Sequence, residues 1–357
     1  MNPKALIAMS GGVDSAVAVY LMQKQGYDCI GATMKLFHNE DIGENIGKTC
    51  CSLTDVEDAR RVAATLGIPH YVFNFTREFT ERVIGKFIEV YEAGATPNPC
   101  IDCNRYLKFE KFLLRAQEIG IDMMATGHYA RIAHDKGSNR YLLQKAADDS
   151  KDQSYVLYAM TQNQLKHTTF PLGALRKSEV RAIAAREGFV NAQKRDSQDI
   201  CFVPNGNYAA FIAQYTGRSC VAGDFVDANG NILGKHNGIL RYTIGQRKGL
   251  SLALNQPMYV CAKCARSNTV TLGRHERLFT RAFDANDFNW IACDKPDKPL
   301  RVKAKVRYSQ DEQSAVAEVV ADDLVHIEFD TPQRAIAKGQ AVVLYDGDVV
   351  VGGGTIM

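Results

Sequence analysis

The sequence predicts an α/β protein with an N-terminal parallel sheet, a small β-rich central domain and a C-terminal β-barrel. Three observations predict this arrangement. Short apolar runs alternate with helical patterns through the first two hundred residues, which is typical of a parallel sheet with helices on both faces. After residue 202 the chain changes to short β-rich runs separated by turn signals. From residue 298 onward nearly every segment predicts a strand, and short strands with tight turns indicate a small barrel or sandwich.

The N-terminal elements follow from the positions of apolar residues. Continuous apolar runs indicate buried strands, and apolar residues four positions apart, such as Val17 and Leu21, indicate helices. These patterns predict strands at 5–9, 29–36, 70–75 and from 122, and helices at 13–25, 53–66, 106–119 and 176–188. The last helix ends at Gly188, in the position of a C-cap glycine.

The C-terminal elements are short strands joined by tight turns. Asn-Gly or Asp-Gly pairs at 205–206, 229–230, 237–238 and 346–347 mark turns. Strands are predicted at 300–308, 314–320, 324–329, 341–345 and 349–352. We therefore expect three domains, at 1–204, 205–280 and 281–357.

Composition and charge narrow the class of protein. Of 357 residues, 46% are hydrophobic and 23% are charged, a balance that excludes a disordered chain, a collagen or a coiled coil. Lys and Arg number 43 against 40 Asp and Glu, so binding of nucleic acid would depend on local basic patches. No run of 18 apolar residues occurs, and the N-terminus has no signal-peptide pattern. We expect a cytoplasmic protein, monomeric and with no membrane segment.

A glycine-rich string, SGGVDS at 10–15, joins the first predicted strand to the first helix. Its two glycines let the backbone turn sharply and approach an anion, and the helix N-terminus adds the positive end of a dipole. Ser10 and Ser15 offer hydroxyl donors to phosphate oxygens. The string is neither a Walker loop nor a GxGxxG fingerprint, so it predicts a phosphate site of another type.

A second segment, TPNPCIDCN at 96–104, carries Cys100 and Cys103. Its prolines fix φ and favour extended backbone before them, so we expect a rigid non-helical segment leading into the helix at 106. A cysteine just ahead of a helix, near Arg105 and Lys108, is expected to have a lowered pKa and more thiolate. Cys201 lies 98 residues beyond Cys103, and only the fold could bring the two together.

SGGVDS resembles the ATP loop of the PP-loop ATP pyrophosphatases, which have the adenine nucleotide alpha hydrolase-like fold and adenylate an oxygen to make it a leaving group. SGGVDS, TPNPCIDCN, ATGHYAR at 125–131, KDQSYVL at 151–157 and SQDICF at 197–202 occur in the order found in the bacterial tRNA-specific 2-thiouridylases. LRYTIGQRKGL at 240–250 and KVRYS at 305–309 also match, so the resemblance covers essentially the whole chain. It implies ATP-dependent adenylation of O2 of the wobble uridine, position 34, in Lys, Glu and Gln tRNAs, followed by replacement of that oxygen with sulfur.

The resemblance also implies site residues. Cys201 would carry the incoming persulfide, and Cys103, the second catalytic cysteine, would attack it, release the sulfur and leave a Cys103–Cys201 disulfide. Domain 1–204 would hold these cysteines and ATP, and domains 205–280 and 281–357 would bind tRNA. ATP would contact Ala8, Met9, Ser10, Gly11, Gly12, Val13, Asp14, Ser15, Met34 and Gly127. The tRNA and its target base would contact Asn98, Pro99, Cys100, His128, Lys151, Asp152, Gln153, Arg307, Tyr308 and Gln340.

The cysteines leave an alternative mechanism open. Some members of the family have an aspartate in place of Cys100, so this chain offers three thiols. Together Cys100, Cys103 and Cys201 could hold an iron–sulfur cluster that binds the sulfur to be transferred. We expect the persulfide route instead, and anaerobic purification with an absorbance spectrum would distinguish the two.

The other cysteines carry less information. Cys261 and Cys264 form another CxxC pair, which together with the pair at 100 and 103 would suggest a four-cysteine zinc site. The 158 residues between the pairs and the β-hairpin predicted at 258–272 argue against it, and we predict no metal site. We assign no role to Cys50 and Cys51.

The clearest RNA-binding signal is a basic strand. Side chains alternate across a strand, so Arg301, Lys303, Lys305 and Arg307 are predicted to share one face, which suits a phosphate backbone. The partners implied are tRNA and a sulfur donor, either a cysteine desulfurase or a sulfur-relay carrier. Mg²⁺ is expected with ATP, with Asp14 helping to hold it. A small-molecule synthetase with the same ATP loop and a non-catalytic RNA-binding protein are the competing hypotheses.

Overall fold

The structure is a computed structural model that describes residues 2–37, 53–194, 200–203 and 206–357. Its N-terminal region alternates strands and helices. In chain order the elements are β1 (Lys4–Ala8), α1 (Val13–Lys24), β2 (Asp28–Lys35), α2 (Leu53–Thr65), β3 (His70–Asn74), α3 (Thr76–Phe79), α4 (Gly85–Glu92), α5 (Pro99–Asp102), α6 (Phe112–Glu118), β4 (Met123–Ala125), β5 (Arg131–Asp135), β6 (Arg140–Gln144), α7 (Gln162–Lys166), β7 (Thr168–Thr169) and α8 (Lys177–Arg186). Five strands pair in parallel in the order β3-β2-β1-β4-β7, which confirms the predicted parallel sheet.

Both faces of this sheet are buried because side chains alternate along its central strand. Ala5 and Ile7 of β1 pack in a cluster with residues of α1, α2 and α8. Leu6 points the other way and packs in a second cluster with residues of α3, α4 and α6. The carboxyl ends of the strands are therefore left as the open edge, where ligands bind in sheets of this kind.

Two of the helical segments contain π-helical turns. Thr80–Ile84 joins α3 to α4, and Cys103–Lys111 joins α5 to α6. The helical stretch that contains Cys103–Lys111 begins with α5, at Pro99. The prediction of a non-helical backbone up to residue 105 is therefore wrong. Proline suits the first helical position because its φ is already helical and it has no N–H to leave unpaired. None of the helices in the described ranges is both long and apolar enough to cross a membrane.

The middle domain is a small sheet with a helix before it. Its elements are α9 (Tyr208–Thr216), β8 (Gly223–Val226), β9 (Ile232–His236), β10 (Tyr259–Cys264) and β11 (Thr269–Gly273). The strand order is β10-β11-β8-β9, and β10 and β11 form the predicted hairpin. Phe225 and Val260 are fully buried in its core.

The C-terminal region is a closed barrel. Its strands are β12 (Phe279–Trp290), β13 (Leu300–Lys305), β14 (Gln313–Ala321), β15 (Leu324–Arg334), β16 (Ala341–Asp346) and β17 (Val349–Ile356). They pair in the order β12-β15-β14-β13-β16-β17, and β12 also pairs with β17, which closes the ring and confirms the predicted barrel. The sequence analysis missed β12, because its side chains do not alternate between buried and exposed and a register shift interrupts its pairing.

A hairpin that the sequence analysis also missed connects the barrel to the N-terminal region. Strands β5 and β6 pair with each other, and Gln144 of β6 pairs with Val349 of β17. The N–H of Lys145 donates to the carbonyl oxygen of Asp348 at 2.9 Å. Barrel and hairpin therefore share one eight-stranded sheet.

Candidate active site

The loop between β1 and α1 turns sharply at Gly11, whose φ is +72°. A β-carbon on Gly11 would lie 2.3 Å from the carbonyl oxygen of Asp55, so the turn requires glycine for both its conformation and its space. Gly12 is the N-cap of α1 and supplies no side-chain hydrogen bond to the helix. The first turn of α1 thus faces the carboxyl edge of the sheet without a capping side chain, an arrangement suited to a phosphate.

The serines of this loop have different environments. Ser15 is buried, and its hydroxyl donates to the carbonyl oxygen of Gly12 at 2.9 Å and accepts from the N–H of Ser10 at 3.3 Å. Ser10 itself is exposed. Ser15 therefore stabilises the loop, and Ser10 presents its side chain outward. Three other residues of the predicted ATP set are buried in the core: Ala8, Met9 and Val13.

Asp14 is held by an ion pair that the sequence analysis did not predict. Both of its carboxylate oxygens accept from Lys177 Nζ at 2.7 Å, and Tyr129 Oη donates to Oδ1 at 2.7 Å. Lys177 is buried at the start of α8, 163 residues from Asp14. Lys177 therefore engages both oxygens of this carboxylate in the structure, and the role expected for Asp14 in holding Mg²⁺ stays a prediction.

A second lysine, Lys194, holds the glycine turn of the loop against α2. Lys194 Nζ donates to Asp55 Oδ1 at 2.6 Å, to Asp58 Oδ2 at 2.7 Å and to the carbonyl oxygen of Gly11 at 3.2 Å. Asn191 Nδ2 donates to the same carbonyl at 3.1 Å. The glycine turn is therefore tied to α2 by charge. Neither lysine lies in a recognisable sequence motif, so only the folded structure shows that Lys177 and Lys194 contact the loop.

Gly127 and Met34, which the family resemblance assigns to the ATP site, lie at the same sheet edge as the loop. A β-carbon on Gly127 would lie 2.8 Å from the carbonyl carbon of Asp14 and 2.9 Å from the nitrogen of Ser15. Glycine therefore permits β4 to approach the start of α1 closely. Met34 is half-buried near the end of β2, the strand beside β1.

His128 is enclosed in the structure, and its predicted contact with tRNA stays a prediction. The residue is 8% exposed, its ring centroid lies 5.7 Å from that of Phe109 and 5.8 Å from that of Phe170, and Nδ1 is 2.7 Å from Thr126 Oγ1. Burial, reinforced by the positive charge of Lys108, lowers the pKa of His128 well below its usual value. The imidazole is therefore neutral at neutral pH and packs beneath the site.

The three cysteines of the predicted site differ in how far they are exposed to solvent. Cys100 is exposed, Cys103 is buried and Cys201 is half-buried. Cys103 belongs to the larger hydrophobic cluster of the N-terminal region, and Cys201 packs against the same cluster. The ring of Phe202 lies edge-on to Phe79 and Phe87, at centroid distances of 5.5 and 5.2 Å, and anchors the segment that carries Cys201. The lowered thiol pKa stays a prediction, and Cys50 and Cys51 lie outside the described residues.

Within the ranges that the structure describes, no three His, Cys, Asp or Glu side chains converge as a group able to hold a metal ion. Those ranges include the three cysteines of the cluster hypothesis and the CxxC pair of β10. Partial burial raises the pKa of Cys261, and Cys264 is exposed.

Charged residues of the cysteine segment connect it to its surroundings. Lys86 Nζ donates to Asp102 Oδ1 at 2.6 Å, and burial nevertheless raises the pKa of Asp102. Arg105 makes a bidentate pair with Asp287 of the barrel strand β12, and this hydrogen bonding raises the pKa of Arg105. The helix that begins at Pro99 is therefore held partly by the C-terminal barrel.

Tyr308 brings two of the predicted RNA-contacting segments together. Its hydroxyl donates to the carbonyl oxygen of Asp152 at 2.9 Å. Partial burial raises the pKa of Tyr308, and the electrostatic influence of Asp152 and of Cys100 adds to the effect. Gln153 makes two hydrogen bonds with the main chain of Tyr129, at 2.8 and 2.9 Å. Segment 151–153, in which Lys151 is half-buried, therefore lies between the glycine edge and the barrel.

The barrel also contacts the chain just before the cysteines. Gln340 Nε2 donates to the carbonyl oxygen of Thr96 at 2.8 Å and to that of Pro97 at 3.3 Å. Pro99 is buried and Asn98 is half-buried beyond them. The side-chain amide of Gln340, predicted to contact tRNA, thus contacts protein in this structure.

The predicted basic stripe is only partly present. Val302, Ala304 and Val306 are buried, as expected from alternation. However, β13 ends at Lys305, and Arg307 turns inward, where Nη2 donates to the carbonyl oxygens of Ala335 at 2.5 Å and Ile244 at 3.5 Å. Burial lowers the pKa of Arg307. Arg307 therefore joins the barrel to the middle domain. Arg301 forms an ion pair with Asp330. Of the four basic residues of the predicted stripe, Lys303 is the one that is exposed and has no ion pair within the described residues.

Comparison with known proteins identifies the family. Residues 3–205 match the family described as the tRNA methyl transferase HUP domain, 209–274 its PRC-barrel domain, and 280–356 the aminomethyltransferase beta-barrel domain. The tRNA-specific 2-thiouridylase MnmA of Clostridioides difficile is 52% identical over 356 residues, covering 100% of this chain and 98% of that protein. The chain belongs to the tRNA-specific 2-thiouridylase family. The members of this family are sulfurtransferases, and this chain is an enzyme of that class.

Further 2-thiouridylases and more distant structures resemble the chain. The MnmA of Lachnoclostridium phytofermentans is 50% identical over 357 residues, covering 99% of both chains. A solved 4-thiouridine synthetase–RNA complex with bound ATP is 21% identical with a TM-score of 0.33, covering 57% of this chain and 46% of that one. The NMN synthetase of Francisella tularensis is 14% identical with a TM-score of 0.36, covering 62% and 79%.

Proposed function

We propose that this 2-thiouridylase uses ATP to thiolate C2 of the wobble uridine of Lys, Glu and Gln tRNAs. The observation that carries the proposal is the placement of Cys103 and Cys201 against one hydrophobic cluster although they are 98 residues apart. Family membership and the phosphate-suited loop at Gly11 and Gly12 support it further. The domains at 1–204, 205–280 and 281–357 would divide the work, with ATP and thiols in the first and tRNA on the other two.

The proposed chemistry has two stages. The uridine O2 attacks the α-phosphate of ATP, so that pyrophosphate leaves and O2 becomes part of an AMP leaving group. The Cys103 thiolate then attacks Sγ of the Cys201 persulfide, which forms the Cys103–Cys201 disulfide and expels the terminal sulfur as hydrosulfide. Hydrosulfide attacks C2 of the uridine and AMP leaves. The two electrons come from the cysteines, so a thiol reductant must reduce the disulfide before the next turnover.

The chain's own residues would position these reactants. The first turn of α1 and the exposed Ser10 lie where the phosphates would bind, at the edge that Gly127 and Met34 also line. The hydroxyl of Tyr308 contacts Asp152, and we expect an unstacked uridine to be held near this ring and the exposed Cys100. A chain that accepts persulfide needs a desulfurase or relay carrier as donor. That partner, the cytoplasmic location, the bound Mg²⁺ and the monomeric state stay predictions.

Thiolation of a Lys tRNA with ATP, cysteine and a cysteine desulfurase tests the proposal, with 2-thiouridine measured by mass spectrometry. We expect Cys201→Ala and Cys103→Ser each to lower thiolation by about 100-fold or more, because neither stage of sulfur transfer has a substitute thiol. Pyrophosphate release should persist in both, because adenylation of O2 precedes sulfur transfer and uses neither thiol. Cys264→Ser, an exposed change in β10, is the matched control and should keep wild-type activity. Full activity of either catalytic variant would refute the two-thiol mechanism.

The cluster alternative has its own test. Protein purified anaerobically should contain no iron and show no visible absorption band. Cys100→Asp, the residue that other members of the family have there, should retain thiolation by the persulfide route and lose it if Cys100 is a cluster ligand.

A further inference from the structure

The peptide group at the start of the glycine loop is held on both sides by side-chain hydroxyls. The carbonyl oxygen of Met9 accepts from Thr33 Oγ1 at 2.7 Å. The N–H of Ser10, which belongs to the same peptide group, donates to Ser15 Oγ at 3.3 Å. Because a peptide group is planar, these two hydrogen bonds together fix its orientation. The exposed side chain of Ser10 and the sharp turn at Gly11 follow directly from this peptide.

The hydroxyl of Thr33 is in turn held by a histidine. Thr33 is 2% exposed near the end of β2, and His70 Nε2 of the neighbouring strand β3 lies 2.9 Å from its Oγ1. A hydroxyl has a single hydrogen, which Thr33 donates to Met9, so the hydroxyl oxygen accepts from His70 and the imidazole carries its proton on Nε2. Burial, reinforced by the positive charge of Arg60, lowers the pKa of His70, so the imidazole is neutral at neutral pH.

The surroundings of the imidazole leave Nε2 as the atom through which it acts. Nδ1 of His70 is buried, and the part of the chain that the structure describes offers it no hydrogen-bond partner. A β-carbon on Gly31 would overlap Met9 Sδ and would lie 3.3 Å from His70 Cδ2. The absence of a side chain at Gly31 therefore lets the imidazole and the side chain of Met9 pack over β2 together.

We infer that Thr33 and His70 are positioning residues for ATP, which act through the carbonyl oxygen of Met9 and orient the peptide from which the phosphate-binding loop starts. The inference rests on the proposed function, because it takes this loop as the site of the ATP phosphates. Neither residue belongs to the ATP set that the family resemblance implies.

Preorganisation is the physical reason for such a role. A loop whose first peptide is already oriented need not be ordered when the phosphates bind, so the loss of these hydrogen bonds should appear as weaker binding of ATP. Adenosine has no phosphates, and its affinity should not depend on the orientation of this peptide. A general loosening of the sheet would instead weaken the binding of both ligands.

Binding of ATP with Mg²⁺, measured by calorimetry, and of adenosine, measured by competition, tests the inference. Thr33→Val keeps the shape of the side chain without its hydroxyl, and we expect it to raise the Kd for ATP by about three- to tenfold. His70→Phe removes only the donor to that hydroxyl and should raise this Kd less, by about two- to threefold. The Kd for adenosine should stay at the wild-type value in both variants.

Conservative variants should restore the affinity. Thr33→Ser keeps the hydroxyl, and His70→Gln places an N–H donor as many bonds from the β-carbon as Nε2 of histidine, whereas the amide of His70→Asn is one bond shorter and should not reach. Thr168→Val is the matched control. Thr168 is buried on β7 of the same sheet, and its hydroxyl has no hydrogen-bond partner among the described residues, so its loss should leave the Kd for ATP unchanged.

Three results would overturn the inference: wild-type affinity for ATP in Thr33→Val, an equal loss in Thr168→Val, or a parallel loss of affinity for adenosine. If circular dichroism shows that Thr33→Val does not fold, the pair His70→Phe and His70→Gln decides in the same way. Failure of the wild-type chain to bind ATP would refute the proposed function itself and this inference with it.

Discussion

The glycine loop and the cysteine segment lie in the same region of the chain but are held in opposite ways. Around the loop every hydrogen bond and ion pair described above comes from the N-terminal region, with Lys177 on Asp14 and Lys194 on the carbonyl oxygen of Gly11. The cysteine segment, besides its ion pair with Lys86 of the same region, is also held by the barrel, through Asp287 and Gln340. Changes at the loop should therefore affect the nucleotide step, and changes at the barrel contacts should affect sulfur transfer alone.

The largest effect is expected at the glycine turn. Gly11→Ala places a β-carbon 2.3 Å from the carbonyl oxygen of Asp55 at a φ of +72°. We expect a loss of about 2–3 kcal/mol of unfolding free energy and a fall in ATP affinity of about tenfold or more, measured by denaturant titration and isothermal calorimetry. Gly26→Ala is the control, because it has φ +88° with nothing within 4 Å; an equal loss of ATP affinity there would contradict the interpretation.

The buried ion pair of the loop comes next. Lys177→Met leaves the carboxylate of Asp14 with Tyr129 but without a charge partner, and we expect unfolding free energy to fall by about 2 kcal/mol, less than for a fully buried pair because Asp14 is 30% exposed. The double variant Lys177→Met/Asp14→Asn should recover part of the loss. Additive losses in this double-mutant cycle would show that the pair contributes nothing.

The enclosed imidazole predicts a dependence of stability on pH. The pKa of His128 is lowered in the folded state, so below about pH 6.5 the unfolded chain binds a proton that the folded chain does not. Stability should therefore fall as the pH falls, by up to about 1.4 kcal/mol per pH unit from this group. His70 and His236 have lowered pKa values too. The contribution of His128 is therefore measured as the difference in unfolding free energy between wild type and His128→Gln at each pH. Parallel curves from pH 7 to 5 would contradict the prediction.

The smallest effect concerns the ion pair between the cysteine helix and the barrel. Arg105 and Asp287 are 31% and 43% exposed, so a double-mutant cycle with Arg105→Ala and Asp287→Ala should give a coupling of about 1 kcal/mol. Thiolation should fall in both variants, and ATP affinity should stay at the wild-type value. A loss of ATP affinity would show that the loop and the cysteine segment are not independent.

The sequence predicted what depends on local pattern and missed what depends on distant pairing. The alternation of apolar runs with helical patterns predicted the parallel sheet, and the glycines of the loop predicted a phosphate site. The lysines at 177 and 194 escaped because their partners are more than a hundred residues away in the chain. The start of the cysteine helix was placed too late because Pro99 was interpreted as a helix breaker, although proline is favoured at a first helical position. The inward turn of Arg307 depends on where β13 ends, which alternation does not determine.

The pairing of β6 with β17 has a mechanical consequence. Because the first and last regions of the chain share a sheet and further bonds, such as Asn289 Nδ2 to the carbonyl oxygen of Tyr158 at 2.7 Å, they form a frame that resists bending. The β-sheet of the middle domain contacts this frame through long side-chain hydrogen bonds, from Arg334 to Gly245 at 3.4 Å and from Lys263 to Ala95 at 3.5 Å, whereas α9 packs against the N-terminal core. We therefore expect amide hydrogen exchange to be faster in β8–β11 than in β6 and β17.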